Sequence, residues 1–258
     1  VCAWRALRAD APAEAPRALR RVAVAVECFH KASLAHDDIE DDERWRYDRE
    51  TLHVAHGVPV ALNLGDWLLG EGYRLIAECG AEPHRVATML RAAAAGHRDL
   101  AAGQGAELCW MRRPRPLSVD EVLAIFRQKT APAFTVALRV GAAFGNPERH
   151  TRRALSEYSR ALGVAYQIRD DLNDLHGEAG DLRRRRPSLL LALAWERGDG
   201  SAQRRLAALF SDSAGRPPDA RELAGLLRRL AVENAARSML EAYTAQAVEA
   251  LTPLGTAP

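Results

Sequence analysis

The chain has 258 residues, 48% of them hydrophobic, which is enough apolar material for one large core and excludes a disordered or disulfide-stapled class. With 36 basic against 34 acidic residues the formal net charge is +2, so no global excess draws the chain to nucleic acid and any charge-driven function is local. Cys2, Cys28, Cys79 and Cys109 fall in no CxxC or Cys/His spacing that zinc would need, and read as reduced thiols in packed positions of a cytoplasmic protein.

The chain starts at Val1, so further residues are expected upstream, and the N-terminus lacks the ordered regions of a signal peptide. A single all-helical domain is expected over 1–258, because Ala, Leu, Arg and Glu dominate long stretches while strand signals are scarce. Helical spacing runs from about Ala18 to His36, with Val22, Val26, Phe29 and Ser33 along one side. Further helices are expected over about Val58 to Cys79, Pro83 to Trp110, Val119 to Phe144 and Glu148 to Leu175. The last three are Ser188 to Glu196, Ala202 to Phe210 and Asp219 to Leu251. Arg112-Arg113-Pro114-Arg115-Pro116 interrupts the pattern, and Ser118 with Glu121 forms a capping box for the helix that follows. Gly145-Asn146-Pro147 and the Ser211 to Asp219 loop are the other clear breaks. The longest apolar run, Leu189 to Trp195, is too short to span a bilayer, so no stable membrane insertion is expected. Helices of about 20 residues are near 30 Å long and suit a large bundle.

Polar residues gather at the ends of two of these helices. Asp37-Asp38-Ile39-Glu40-Asp41-Asp42 puts five acidic groups into six residues. If the helix continues, Asp37 and Asp41 share a face within about 6 Å. Like charges so placed repel unless a cation sits between them, and hard oxygen donors favour Mg²⁺ or Mn²⁺ over zinc. Asp170-Asp171-Leu172-Asn173-Asp174 repeats the DDxxD spacing after another long apolar stretch. Two such clusters facing each other across a bundle would hold Mg²⁺ with positions left open for phosphate oxygens, which points to a diphosphate site.

With both clusters in place the chain resembles the trans-polyprenyl diphosphate synthases of the isoprenoid synthase superfamily. The likeness runs from Val1 to about Glu196. Phe29-His30-Lys31-Ala32-Ser33-Leu34-Ala35-His36-Asp37-Asp38 is similar to the first aspartate-rich motif with its lead-in, and Arg46 with Arg49-Glu50-Thr51-Leu52-His53 to the RRGxPTxH segment. Gly65-Asp66, Gly103-Gln104 with Glu107-Leu108, Lys129-Thr130-Ala131, and Gln167 with Asp170, Asp171 and Asp174 follow in family order.

The resemblance implies a bundle of long helices around an apolar cavity, a homodimer as is common in the family, and condensation of an allylic prenyl diphosphate with isopentenyl diphosphate. It implies that Asp37, Asp41, Asp170 and Asp174 bind Mg²⁺, with Asp38 and Asp171 in the catalytic set. Arg46, Lys129, Thr130 and Gln167 would hold the allylic diphosphate, and His30 the isopentenyl diphosphate. Lys129 stands out, because only Lys31 and Lys129 are lysine in an otherwise arginine-based chain. Ser33, Ala32 and Phe29, one and two turns before the first aspartate, would set the depth of the hydrocarbon pocket and imply a medium-length product.

The sequence departs from the family at Tyr47, which replaces the second arginine after the first motif, and the family's Gly-Lys-Arg segment would lie upstream of Val1. A neutral phenol offers no charged fork to phosphate, which keeps a class I terpene cyclase, acting without isopentenyl diphosphate, as the alternative. Gly180 to Ser188, with Arg183-Arg184-Arg185-Arg186, resembles the family's mobile basic loop or is a solvated charge run. Glu27-Cys28-Phe29-His30 has the ExxH spacing of di-iron bundles but lacks the second copy such sites need.

Overall fold

A computed structural model describes residues 1–7, 14–145, 147–176, 186–210 and 218–255. Asn146, the stretch from Gly180 to Arg185 and most of the Ser211 to Asp219 loop lie outside the described residues. Of the described residues 81% are helical. The chain forms two compact units, one of Val1–Gly96 with Val136–Arg152, the other of His97–Thr135 with Arg153–Gly255.

In the first unit, α1 (Cys2–Ala6) precedes the long α2 (Arg17–Glu40). Its buried stripe, Leu19, Val22, Ala25, Phe29, Ala32, Ala35 and Asp38, recurs every three or four residues, the spacing that keeps one helix face inward. That face packs along α4 (Val58–Ala77). Between them lie the two-residue strands β1 (Trp45–Arg46) and β2 (Arg49–Glu50), and α3 (Leu52–His56). The strands pair antiparallel, Trp45 opposite Glu50 and Arg46 opposite Arg49. Tyr47 and Asp48 turn the chain with φ of 52° and 60°. Positive φ at both central residues is the two-residue hairpin that matches strand twist, here without the usual Asn-Gly, which is why sequence pattern missed it. Trp4, Leu19, Val22, Met89, Val136 and Phe144 close this unit's core, with Trp4 brought in by α1.

The second unit is built on the C-terminal part of α5 (Pro83–Arg112), then α6 (Val119–Lys129) and most of α8 (Arg149–His176). It continues through α9 (Leu189–Arg197), α10 (Gly200–Ala207), α11 (Ala220–Arg229) and α12 (Val232–Leu251). Residues 189–194 of α9, the core of the longest apolar run, are all buried. They pack with Val122, Phe126, Ile168, Leu206, Leu223 and Val232, so α9 is enclosed by its neighbours. Among the described residues no helix is long and apolar enough to cross a membrane.

Three expectations need correction. The helix expected over Val119 to Phe144 is two, α6 and α7 (Ala131–Ala142), broken at Thr130 (φ −118°). Pro132 is the local reason: without an N–H it belongs in the first turn of a new helix, not inside an old one. Asp219 to Leu251 also divides, at Ala231, whose φ of 50° cannot continue a right-handed helix. The cysteines are not uniformly packed: Cys79 is buried and Cys28 half-buried, but Cys2 and Cys109 are exposed.

The Ser118 capping box is present, with the Ser118 hydroxyl accepting from the Glu121 N–H and the Glu121 carboxylate accepting from the Ser118 N–H. Arg115 also donates to Glu121 at 2.6 Å, and these bonds pull the Glu121 carboxyl down to about 2. Because the folded-state value is depressed, the stabilisation is present above the ordinary glutamate range and lost as pH falls toward 2. Glu121→Gln can keep the capping box but loses the charge facing Arg115 and the helix N-terminus, and with both side chains largely exposed it is expected to cost about 0.5 kcal/mol at neutral pH. The gap between variant and wild-type melting temperatures should close between pH 4.5 and 2, as read by scanning calorimetry.

Candidate active site

Helix α2 runs four residues beyond the expected His36 and ends at Glu40, with Asp41 as its C-cap in the right-handed helical region (φ −92°). Asp37 and Asp41 therefore keep their i, i+4 relation, and the Asp41 N–H bonds the Asp37 carbonyl at 2.8 Å. This end of a helix carries partial negative charge, and the last turn of α2 contains no basic residue. Carboxylates there oppose the helix dipole and one another, an arrangement that a bound cation would relieve.

Asp38 is used differently. Its side chain is 7% exposed and receives Arg46 Nε at 2.7 Å and Nη2 at 2.6 Å. Arg46, expected at the diphosphate, is thus anchored to the motif itself, and the paired carboxylate raises its pKa further. Five guanidinium N–H donors are not exhausted by this pairing. The buried Thr51 hydroxyl donates to the Glu43 carbonyl at 2.7 Å and lies 3.2 Å from His53 Nδ1, tying the start of α3 to the end of the motif. His30 is exposed, and its carbonyl accepts from the Ser33 hydroxyl at 2.9 Å. Tyr47 is exposed at the hairpin turn. Phe29, two turns before Asp37, is buried edge-on to Tyr73 with ring centroids 5.1 Å apart. Glu27 pairs with Lys31 at 3.4 Å, and among the described residues no group of three or more His, Cys, Asp and Glu side chains forms a ready metal cage.

In the second unit Asp170, Asp171 and Asp174 occupy the last turns of α8, again at the negative end of a helix. Burial raises the Asp170 pKa, Arg169 at 3.7 Å opposes this, and Asp174 adds to it. Asp171 parallels Asp38: its Oδ2 accepts from the Leu189 N–H at 2.6 Å and the Ser188 hydroxyl at 3.2 Å, so it caps the N-terminus of α9. Burial nevertheless pushes its carboxyl up to about 7, against the pull of those donors. In each motif the second aspartate fastens the motif to its own unit.

Lys129 ends α6 and Thr130 is the break that follows. The Gln167 amide donates to the Thr130 hydroxyl at 2.6 Å, joining that break to α8 one turn before Asp170. Two glycines set the backbone here. A Cβ on Gly103 would lie 2.6 Å from the Gln128 carbonyl carbon and 2.8 Å from the Lys129 nitrogen. One on Gly163 would lie 2.6 Å from the Ala131 Cα. The α6–α7 break is pinched between α5 and α8, and only glycine permits either approach. Lys129 Nζ meets the buried Glu107 at 3.0 Å. Gly103 and Glu107 stand in the motif order of the sequence, but their contacts with Lys129, and the close approach at Gly163, exist only in the packed helices. The available signal was Gly103 and Glu107 at i, i+4 on one helix face.

The donor set fits Mg²⁺. All candidate ligands are carboxylates, and Mg²⁺ characteristically takes one or two of them plus water and phosphate oxygens, so a closed protein cage is not required.

The polyprenyl synthetase family profile matches residues 1–227, so the chain belongs to the polyprenyl synthetase family. It is 34% identical over 215 residues to the (2E,6E)-farnesyl diphosphate synthase of Mycobacterium tuberculosis, covering 80% of this chain and 59% of that protein. The geranylgeranyl diphosphate synthase of Methanosarcina mazei is 28% identical, over 74% of this chain and 61% of its own length. The chain thus spans about three fifths of these relatives. Among solved structures, the geranylgeranyl pyrophosphate synthetase of Pyrococcus horikoshii superposes with a TM-score of 0.84 at 26% identity, covering 97% of this chain and 78% of that one. The polyprenyl synthetase of Streptomyces coelicolor gives 0.82 at 26%, covering 97% and 77%. The fold is that of the isoprenoid synthases.

Proposed function

We propose that the chain is a prenyltransferase that condenses an allylic prenyl diphosphate with isopentenyl diphosphate. The observation that carries this reading is a DDxxD motif at the negative end of α2 and another at that of α8, each fastened by its second aspartate. Asp37, Asp41, Asp170 and Asp174 are the proposed ligands of Mg²⁺, or Mn²⁺, which when bound supplies charge neutralisation at the diphosphate oxygens. Lys129 and Arg46 add fixed positive charge, and Thr130 and Gln167 add polar contacts on the allylic diphosphate. The allylic C–O bond breaks and diphosphate leaves. The isopentenyl double bond attacks the resulting cation, and the proton lost from the new chain passes to the departing diphosphate. No protein nucleophile is consumed. His30 is the proposed contact of isopentenyl diphosphate. Ala32, Ser33 and Phe29 are proposed to bound the hydrocarbon tail, giving a medium-length product.

A homodimer belongs to the same reading. It is supported by the exposed apolar face of α4, where Val60, Leu64 and Trp67 stand at i, i+4 and i+7. A reducing, cytoplasmic setting is supported by the four cysteines standing as free thiols.

The test is incubation with geranyl diphosphate and Mg²⁺, with and without isopentenyl diphosphate, and extraction of products. Elongated diphosphate that requires both substrates is the expected result. A cyclic hydrocarbon from geranyl diphosphate alone would replace this reading with terpene cyclisation, and the elongation product should vanish in EDTA and return with added Mg²⁺.

A further inference from the structure

Glu107 is among the few buried charged residues of the protein, its side chain 6% exposed, and its carboxylate meets Lys129 Nζ at 3.0 Å. A carboxylate taken out of water demands a cation, so the pair has an obvious structural use. Three features go beyond it. The enclosure is lopsided, for Lys129 keeps 20% of its side chain exposed. An ammonium has three N–H donors, so one can face Glu107 while the others face an anion on the open side.

The same helix also holds Lys129 at both ends. Gly103 brings the α5 backbone against the Lys129 nitrogen, and Glu107, one turn later, takes the ammonium. Stem and head are thus referred to a single rigid element. Lysine needs this more than arginine does, because its charge sits on a flexible four-carbon stem with no fork of its own. The chain uses lysine at only two positions, and this is one.

Finally, the surroundings are polar and incompletely satisfied. Gln104, on the same turn of α5, has both amide atoms buried with no hydrogen-bond partner among the described residues. Thr130, next to Lys129, is itself held by Gln167.

We infer that Glu107 is a positioning residue: it aims the Lys129 ammonium so that its remaining donors engage a diphosphate oxygen. The assignment rests on the proposed diphosphate site. Glu107 touches no substrate in this scheme and acts through Lys129, so the two residues should behave as one unit in a double-mutant cycle.

The experiment is calorimetric titration of the full chain with inorganic pyrophosphate and Mg²⁺, for wild type, Glu107→Gln, Glu107→Asp, Lys129→Gln and the Glu107→Gln/Lys129→Gln double variant, each with its thermal unfolding curve. Glu107→Gln is expected to weaken pyrophosphate binding by about tenfold or more, the loss of one charge-assisted bond. Glu107→Asp should recover most of that loss, and the double variant should bind no worse than Lys129→Gln alone. A Glu107→Gln chain that binds like wild type, whatever its melting temperature, overturns the role, as do losses that add in the double variant. If Glu107→Gln does not fold, Glu107→Met, which leaves no buried polar group at that position, runs the same cycle with Lys129→Gln, and additive losses there are equally decisive. Wild type that fails to bind pyrophosphate overturns the diphosphate reading and this inference together, whereas binding that ignores Glu107 overturns the inference alone.

Discussion

Asp37→Ala is expected to lower the rate of the proposed condensation by about 10²- to 10³-fold, the scale on which removing one group that stabilises developing charge is felt. Its melting temperature should move little, because attraction to Arg46 and repulsion by neighbouring carboxylates are lost together. Asp37 lies in the last turn of α2, where a carboxylate opposes the helix dipole and has Asp38, Glu40 and Asp41 for neighbours. Removing it relieves that repulsion, gives up an attraction to Arg46, and takes away a proposed metal ligand. Asp38→Ala should show the opposite balance, because Asp38 is buried and holds Arg46 through Nε and Nη2. Breaking a fully buried pair costs about 3–5 kcal/mol. Arg46 is one third exposed, so water can repair part of the loss and about 1–3 kcal/mol is expected. Steady-state kinetics beside thermal unfolding of both variants separates the two effects. An Asp37→Ala protein that keeps wild-type turnover would remove the first motif from the chemistry.

Gly163→Ala is expected to destabilise the protein by about 1–3 kcal/mol and to cut activity by as much as about 10²-fold. The added methyl would stand 2.6 Å from the Ala131 Cα, 2.7 Å from its nitrogen and 2.8 Å from its Cβ. Two of these are backbone atoms, which cannot rotate away, so α8 and the start of α7 must separate. The 2.6 Å bond from Gln167 to Thr130 spans the same contact and would lengthen with it. Gly225→Ala is the matched control. It lies inside α11, where a Cβ meets nothing within 4 Å. There alanine should stabilise by about 0.5–1 kcal/mol through helix propensity alone and leave activity unchanged. Denaturant titration and initial rates on the two variants check both halves. Equal behaviour of the two would mean that the close approach at Gly163 imposes no constraint.

Much of this protein was legible from local order. The aspartate clusters announce themselves because helix period and charge repulsion act over four residues, and Asp37 in the last turn of α2 and Asp41 at its C-cap do keep that interval. The Ser118 capping box is equally local and is present with both of its bonds. Family membership follows from motifs whose order along the chain is itself sequence information, and the family profile spans residues 1–227.

The misreadings share a cause. Apolar periodicity continues through Val119 to Phe144, so nothing in the pattern except Pro132 marks the break at Thr130. That break places Lys129 at a helix end and is fitted between two glycines 60 residues apart in sequence, at 103 and 163. The hairpin at Trp45 to Glu50 was likewise invisible, because Tyr47 and Asp48 adopt positive φ that their side chains do not advertise.

What the amino-acid order determined alone was the helical class, the position of both carboxylate motifs and the family, since the first two rest on contacts within one or two turns and the third on the order of motifs along the chain. Tertiary packing alone decided how those motifs are used. Asp38 and Asp171 became fasteners by meeting Arg46 and the N-terminus of α9, and Lys129 became an anchored cation by meeting Glu107, 22 positions earlier. A buried charge takes whichever counter-charge or donor the packed helices bring within about 3 Å, and that choice is made in space.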